Sequence, residues 1–215
     1  MSPWIAVFEV MCVALGGAGY VLGRWMDPRR RARRALERVS DTPIRELADG
    51  DWARVTGTVA ALDVLQQSPV TQRRCIGFRL LIETAVRNDP SNGFTPLLTR
   101  ESCQPFSISD ETGTALVEGP FLMGLDVDDS SWTDLPPALF KLLEEAGKPT
   151  TPAHFRFREA WLLPGDRVTV AGAVSVGVHP AGEPRGFREP PVMRRIVGTD
   201  RAPVVLRDAV EEAPP

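Results

Sequence analysis

"FRFREAWLLPGDRVTVAGAVSV", residues 155–176, predicts two β-strands turning back on each other as a hairpin. Pro164 presets a negative φ at the turn and Gly165 supplies a positive one. Val168, Val170 and Ala173 or Val174 then carry the second strand onward. Glu159 and Asp166 flank the turn, and carboxylates so placed brace it or face water rather than act as an acid/base pair.

The same pattern recurs upstream. "PFSISDETGTALVEG", residues 105–119, has Phe106 and Ile108 before a turn and Ala115 and Val117 after it, with Gly113 expected to take a positive φ. "CIGFRLLIETAV", residues 75–86, is strand-like, and "ARVTGTVAALDVL", residues 53–65, alternates through Val55, Gly57 and Val59. Residues 87–104 are rich in Asn, Asp, Pro and Ser and are expected to loop, as is the Pro/Gly-rich stretch 177–191. "VMRRIVGTD" and "APVVLRD" supply two last strands before a frayed tail over 208–215.

One helix is expected in the body, over residues 134–147. Thr133 or Asp134 would cap it, Pro136 suits its first turn, and Gly147 ends it. Leu139, Phe140, Leu143 and Ala146 would then form one face covering the sheet. Twenty prolines and eighteen glycines in 215 residues fit many short strands. The expected fold is mainly β: a small OB-like barrel or a flattened β-sandwich with one helix, occupying residues 42–207.

Ahead of it, residues 4–23, "WIAVFEVMCVALGGAGYVLG", form a twenty-residue apolar run whose single ionisable group is Glu9. At ~1.5 Å per residue such a run spans a ~30 Å hydrocarbon core. The start "MSPW" lacks the basic residues of a cleaved signal, so residues 1–26 are expected to be an uncleaved transmembrane anchor. Gly19 and Gly23 share a GxxxG spacing, which offers a homodimer through this helix as one reading. Residues 27–41 then form a basic juxtamembrane helix or linker, with Arg29, Arg30, Arg31, Arg33 and Arg34 placed to meet lipid headgroups. Arginines on this flank and none before the span predict a single pass, with the amino terminus outside and the carboxyl-terminal domain cytoplasmic.

Charge narrows the partners. Of the net −3, residues 1–26 hold zero and residues 27–38 hold +4, leaving −7 on residues 39–215. An acidic body disfavours a nucleic-acid groove, whose affinity comes from Lys and Arg on phosphates. Cys12, Cys75 and Cys103 have no CxxC spacing, and His154 and His179 are far apart, so no metal or cofactor is expected. A Cys75–Cys103 disulfide is conceivable, though buried free thiols are the simpler reading. The acidic loop with Asp126, Asp128 and Asp129 lacks the later Gly and Glu of a calcium-binding EF-hand. No nucleophile–base set or phosphate-cradling loop stands out.

Four segments together resemble the membrane-adjacent domain of the mitochondrial ubiquitin ligase activator family, called the GIDE or "beside a membrane" domain. They are "TPIRELADGDWARVTGTV", "SPVTQRRCIGFRLLIE" with Ser68, Pro69 and Cys75, "PFSISDETGTALVEGP" with Asp110 and Gly113, and "EAWLLPGDRVTVAGAV" with Glu159, Gly165, Asp166 and Gly172. The resemblance spans most of residues 42–176 and implies a β-domain held beside a bilayer. Eukaryotic members add a second span and a zinc-binding RING domain that recruits the conjugating enzyme. This chain has no cysteine after Cys103, so ligase activity does not carry over. The expectation is a membrane-anchored, non-catalytic interaction or scaffold module contacting the lipid bilayer and a membrane or cytoplasmic protein. The alternatives are a tethered OB-like oligonucleotide binder and an accessory subunit of a membrane-bound enzyme.

Overall fold

The computed structural model describes residue 36 and residues 39–125, 136–150, 154–178 and 192–209. The expected span at residues 4–23, with Gly19 and Gly23, lies outside the described residues, as do Arg29, Arg30, Arg31, Arg33, Arg34 and the acidic loop at Asp126. Among the described residues no helix is long and apolar enough to cross a membrane. Val39–Pro215 is one compact unit, separate from Met1–Arg38.

The chain is mainly β, and its centre is a closed five-stranded barrel. Strands β1 (Trp52–Ala61), β6 (Phe106–Asp110), β7 (Gly113–Glu118), β11 (Val192–Val197) and β10 (Arg167–Val178) neighbour one another in that order, and β10 closes back onto β1. All pairings are antiparallel except β7 with β11. Counted along the barrel strands alone, the order is 1-2-3-5-4 and back to 1, a Greek-key barrel of the OB-like type rather than a sandwich. Alternation fills it: Val55, Val59, Phe106, Ile108, Val117, Val168, Val170 and Ile196 are buried in one core.

Closure depends on β1 changing partners. Its residues 52–58 pair with β10 and its residues 58–61 with β6. Gly57 sits at the handover, where a Cβ would lie 2.5 Å from the Ser109 carbonyl oxygen. Only glycine lets β6 approach β1 this closely.

Two insertions build a second layer. Between β1 and β6 come β2 (Gln66–Gln67), β3 (Arg74–Cys75), β4 (Gly77–Ala85) and β5 (Phe94–Cys103). Between β7 and β10 come β8 (Phe121–Met123), α1 (Pro137–Glu145) and β9 (Phe155–Leu162). Strands β5, β4 and β9 form an antiparallel sheet, while β12 (Val204–Asp208) and β8 extend the barrel beside β10. Leu139 and Leu143 of α1 pack with Phe78, Leu80, Ile82, Phe155 and Phe157 in a second core. Ala160 and Leu162 on the opposite face of β9 join the barrel core, so this strand lies between the two.

Several expectations need correction. Residues 155–176 contain the turn but not the hairpin. Gly165 has φ +94° and the Asp166 amide donates to the Leu163 carbonyl at 3.2 Å, yet β9 pairs with β4 while β10 pairs with β1, β11 and β12. At the corner, the Gly165 amide donates to the Val59 carbonyl at 2.8 Å and the Val59 amide to the Asp166 carbonyl at 2.9 Å. Thus β1 takes the hydrogen bonds that a hairpin would have closed on itself. Turn chemistry reverses the chain; it does not choose each strand's partner.

Residues 87–104 are not all loop, because Phe94–Cys103 is strand β5. Pro96 disguised it: the proline lies on an edge strand, beside the register shift between Ile82 and Glu83, where a missing N–H is tolerated. Gly177 and Val178 likewise belong to β10. Gly113 is not at positive φ; the turn is held by the Asp110 carboxylate. The helix begins at Pro137 with no side-chain cap, and Phe140 is exposed, as is Ala146. Its end is as expected: Gly147 has φ +62°, and Lys148 and Gly147 donate to the Leu143 and Glu144 carbonyls in a Schellman motif.

Candidate functional site: a buried carboxylate beneath an exposed loop

Glu159 neither braces its own turn nor faces water, contrary to expectation. Strand alternation puts Glu159 and Trp161 on the same face of β9 as Phe157, and only 6 % of Glu159 is exposed. Its carboxylate accepts from Ser68 Oγ at 3.2 Å, Thr71 Oγ1 at 2.8 Å, the Thr71 amide at 3.2 Å, the Val70 amide at 3.3 Å and Trp161 Nε1 at 3.2 Å. The first four partners belong to the loop joining β2 to β3. A buried carboxylate is tolerated only when so supplied with donors.

The loop closes on itself as well. The Ser68 amide donates to the Arg73 carbonyl at 2.9 Å, and the Arg73 amide to Ser68 Oγ at 3.2 Å. Ser68 is fully buried, Gln72 at the tip has φ +57°, and the Pro69 carbonyl accepts from Gln72 Nε2 at 3.3 Å. Arg73 then lies over the Trp161 ring, its guanidinium carbon 4.8 Å from the centroid, a cation–π distance. Arg73 and Arg74 are exposed.

Cys75 follows at the end of β3 and is buried. Burial first and Glu159 second push its thiol up to about 11, against the opposing charge of Arg73. Cys103 is pushed up to about 12, by burial first and then by Cys75. Both are free, in line with the simpler reading, and both are protonated near neutral pH and poor nucleophiles.

The other expected positions lie in separate places. Asp110 Oδ1 accepts from the Thr112 and Gly113 amides at 2.7 and 2.9 Å, and Oδ2 from the Ile44 amide at 2.8 Å, tying residues 44–46 to the β6–β7 turn. Burial works to raise the Asp110 carboxyl, but the hydrogen bonds from Thr112, Ile44 and Gly113 outweigh it and hold its pKa below the usual value. Asp166 Oδ2 accepts from the Leu163 amide at 2.7 Å, bracing the corner at Gly165. Gly172 lies in the barrel wall, where a Cβ would sit 2.8 Å from Ile196 Cγ2. Only Ser68, Pro69, Cys75 and Glu159 come together.

Trp161, Thr71 and Arg73 complete that group and were not nominated from sequence. Trp161 could have been, since it alternates with Glu159 along a strand. A second charged cluster was also missed: Glu83, 5 % exposed, accepts from Arg156 Nε at 2.6 Å and Arg158 Nη2 at 3.3 Å. Among the described residues no three His, Cys, Asp or Glu side chains are grouped to hold a metal ion. The outer face of β6 and β7 presents Ser107, Ser109 and Thr114, with Ser109 Oγ and Thr114 Oγ1 2.8 Å apart, and Glu118 paired with Arg195 at 3.7 Å. The chain matches no protein-family model and no curated protein.

Proposed function

We propose that this chain is a membrane-tethered, non-catalytic interaction or scaffold module of the GIDE or "beside a membrane" kind. One observation carries the reading: a buried carboxylate accepts five hydrogen bonds, four of them from the loop at residues 68–73, whose tip at residues 71–73 is exposed. An exposed loop needs no such support to connect two strands. Rigid display lowers the entropy lost when a partner binds. The apolar run at residues 4–23 and the arginines at 29–34 favour a single-pass anchor with the β-domain on the cytoplasmic side, where confinement to a surface raises the effective concentration of membrane partners.

The barrel's strand order favours a second reading, an oligonucleotide binder. Such barrels use the face of their second and third strands, which here are β6 and β7. That face carries hydroxyls and a glutamate already paired with Arg195, and the one aromatic of β6 and β7, Phe106, is buried in the core instead of stacking outward as in proteins that bind single strands.

In-cell crosslinking followed by capture from membranes tests the scaffold reading, comparing the native chain with one in which residues 69–72 are replaced by Gly-Ser-Gly-Ser. A reproducible partner lost with the loop is expected. Finding none, or recovering nucleic acid instead, sinks it. The topology has a separate check: a carboxyl-terminal reporter active only outside the cytoplasm would reverse the orientation.

A further inference from the structure

We propose that Arg73 and Arg74, with Trp161 beneath the first, form a pre-built docking platform for a carboxylate-rich segment of a partner protein. The inference rests on the interaction-module reading and names the partner chemistry of the same loop. Glu159 orients both halves of the platform at once. Through Trp161 Nε1 at 3.2 Å it sets the indole ring, and through the Val70 and Thr71 amides it sets the loop that lays Arg73 on that ring. A guanidinium held over an aromatic face still has N–H donors free to meet a carboxylate.

Stacking on Trp161 sets Arg73 apart from other exposed arginines without a carboxylate partner, such as Arg87, Arg100 and Arg201. Arg54 pairs with Asp41, Arg79 with Glu101, Arg156 and Arg158 with Glu83, and Arg195 with Glu118. Among the described residues neither Arg73 nor Arg74 is paired with a carboxylate, although the body of the chain is acidic. One oriented arginine with a second exposed one next to it in the chain, neither paired with a carboxylate, on an acidic domain makes a local site for a carboxylate group. An anionic bilayer fits less well, because exposed Asp63 lies three residues before β2 at the foot of the same hairpin.

The test uses the full chain in non-ionic detergent micelles, titrated with a fluorescein-labelled acidic peptide and with a control peptide. The acidic peptide is two short oligoglutamate runs joined by a glycine, and the control carries glutamine in place of every glutamate. The acidic peptide is expected to bind about tenfold more tightly than the glutamine control, since hydrogen bonds to charged groups are worth that much. Arg73→Ala should abolish most of the difference. Arg73→Lys should do nearly the same, because the fork and the stacking are lost while the charge stays. Arg201→Ala, at an exposed arginine outside the platform, should leave it unchanged, with circular dichroism confirming that each variant is folded. Equal binding of the two peptides overturns the proposal, as does a lysine variant that binds like the native chain. Vesicles of phosphatidylserine and phosphatidylcholine that bind through Arg73 when the acidic peptide does not would also overturn it, in favour of a lipid surface. A crosslinked partner that survives Arg73→Ala removes the platform but not the scaffold reading. If no partner is captured at all, the scaffold reading falls and the peptide titration still decides the platform.

Discussion

Replacing Glu159 by alanine removes the acceptor of five hydrogen bonds at a site that is 6 % exposed. The loss is smaller than five bonds. Ser68 Oγ and Thr71 Oγ1 lie 2.9 Å apart and still satisfy each other, and Thr71 is exposed, so the loop amides can turn to water. Trp161 Nε1 and whichever loop amide stays covered carry the penalty of an unmade bond, ~1–3 kcal/mol each. With some loss of packing, Glu159→Ala should destabilise the domain by about 3–4 kcal/mol, within the ~5–15 kcal/mol that keeps a domain folded. Glu159→Gln separates charge from geometry. Its amide can place the oxygen where Oε2 stood, keeping Thr71 and Trp161, and lose chiefly the Val70 bond at 3.3 Å. That variant should lose about 1–2 kcal/mol. Urea midpoints measure the totals, and amide hydrogen exchange at Val70 and Thr71 reports the loop. A Glu159→Ala loss within ~0.5 kcal/mol, the range of ordinary surface changes, would refute the clamp. So would equal effects of alanine and glutamine.

Three further outcomes are expected. Asp110 has a folded pKa below its ordinary 3.8, so its stabilisation is present above that value and lost as pH falls through the folded one. An advantage over Asp110→Asn of ~1–2 kcal/mol at neutral pH should shrink on acidification below 3.8, and a gap that widens there reverses the sign of the reasoning. Gly57→Ala forces a Cβ to 2.5 Å from a backbone oxygen and should destabilise the barrel by at least ~2 kcal/mol, read as a lowered melting temperature; an unchanged value removes the account of how β1 changes partners. Buried Cys75 and half-buried Cys103, with thiols pushed up to about 11 and about 12, should resist iodoacetamide at neutral pH in the folded chain and react in urea, followed site by site in mass spectra; rapid native alkylation at either site contradicts the raised pKa there.

Legibility followed the range of the interactions. The β6–β7 hairpin and the end of α1 at Gly147 were readable because partners a few residues apart define them. The hairpin expected over residues 155–176 failed although its turn was right, since β9 and β10 each bind strands from distant parts of the chain. Strand β5 was hidden by a proline acceptable only at a sheet edge, and no local pattern announces an edge. At the site, Ser68, Cys75 and Glu159 stood out by resemblance, but the contact that unites them spans 91 residues from Ser68 to Glu159. Phe140 went astray because a nine-residue helix on a three-stranded sheet buries a narrow stripe, and Leu139 and Leu143 fill it.

By itself the sequence determined the class of the protein: short alternating strands, one helix, an acidic body, and a basic stretch behind an apolar run. These follow from residue type and near-neighbour spacing, which act before the chain is folded. Tertiary structure decided which strands close the barrel, that residues 155–176 turn a corner between two sheets, and that Glu159 serves a loop far away in the sequence. The physical reason is that backbone hydrogen-bonding groups are the same at every residue. Alternation shows that a strand will pair, while its partner is settled only when all the apolar faces and buried polar groups are satisfied together.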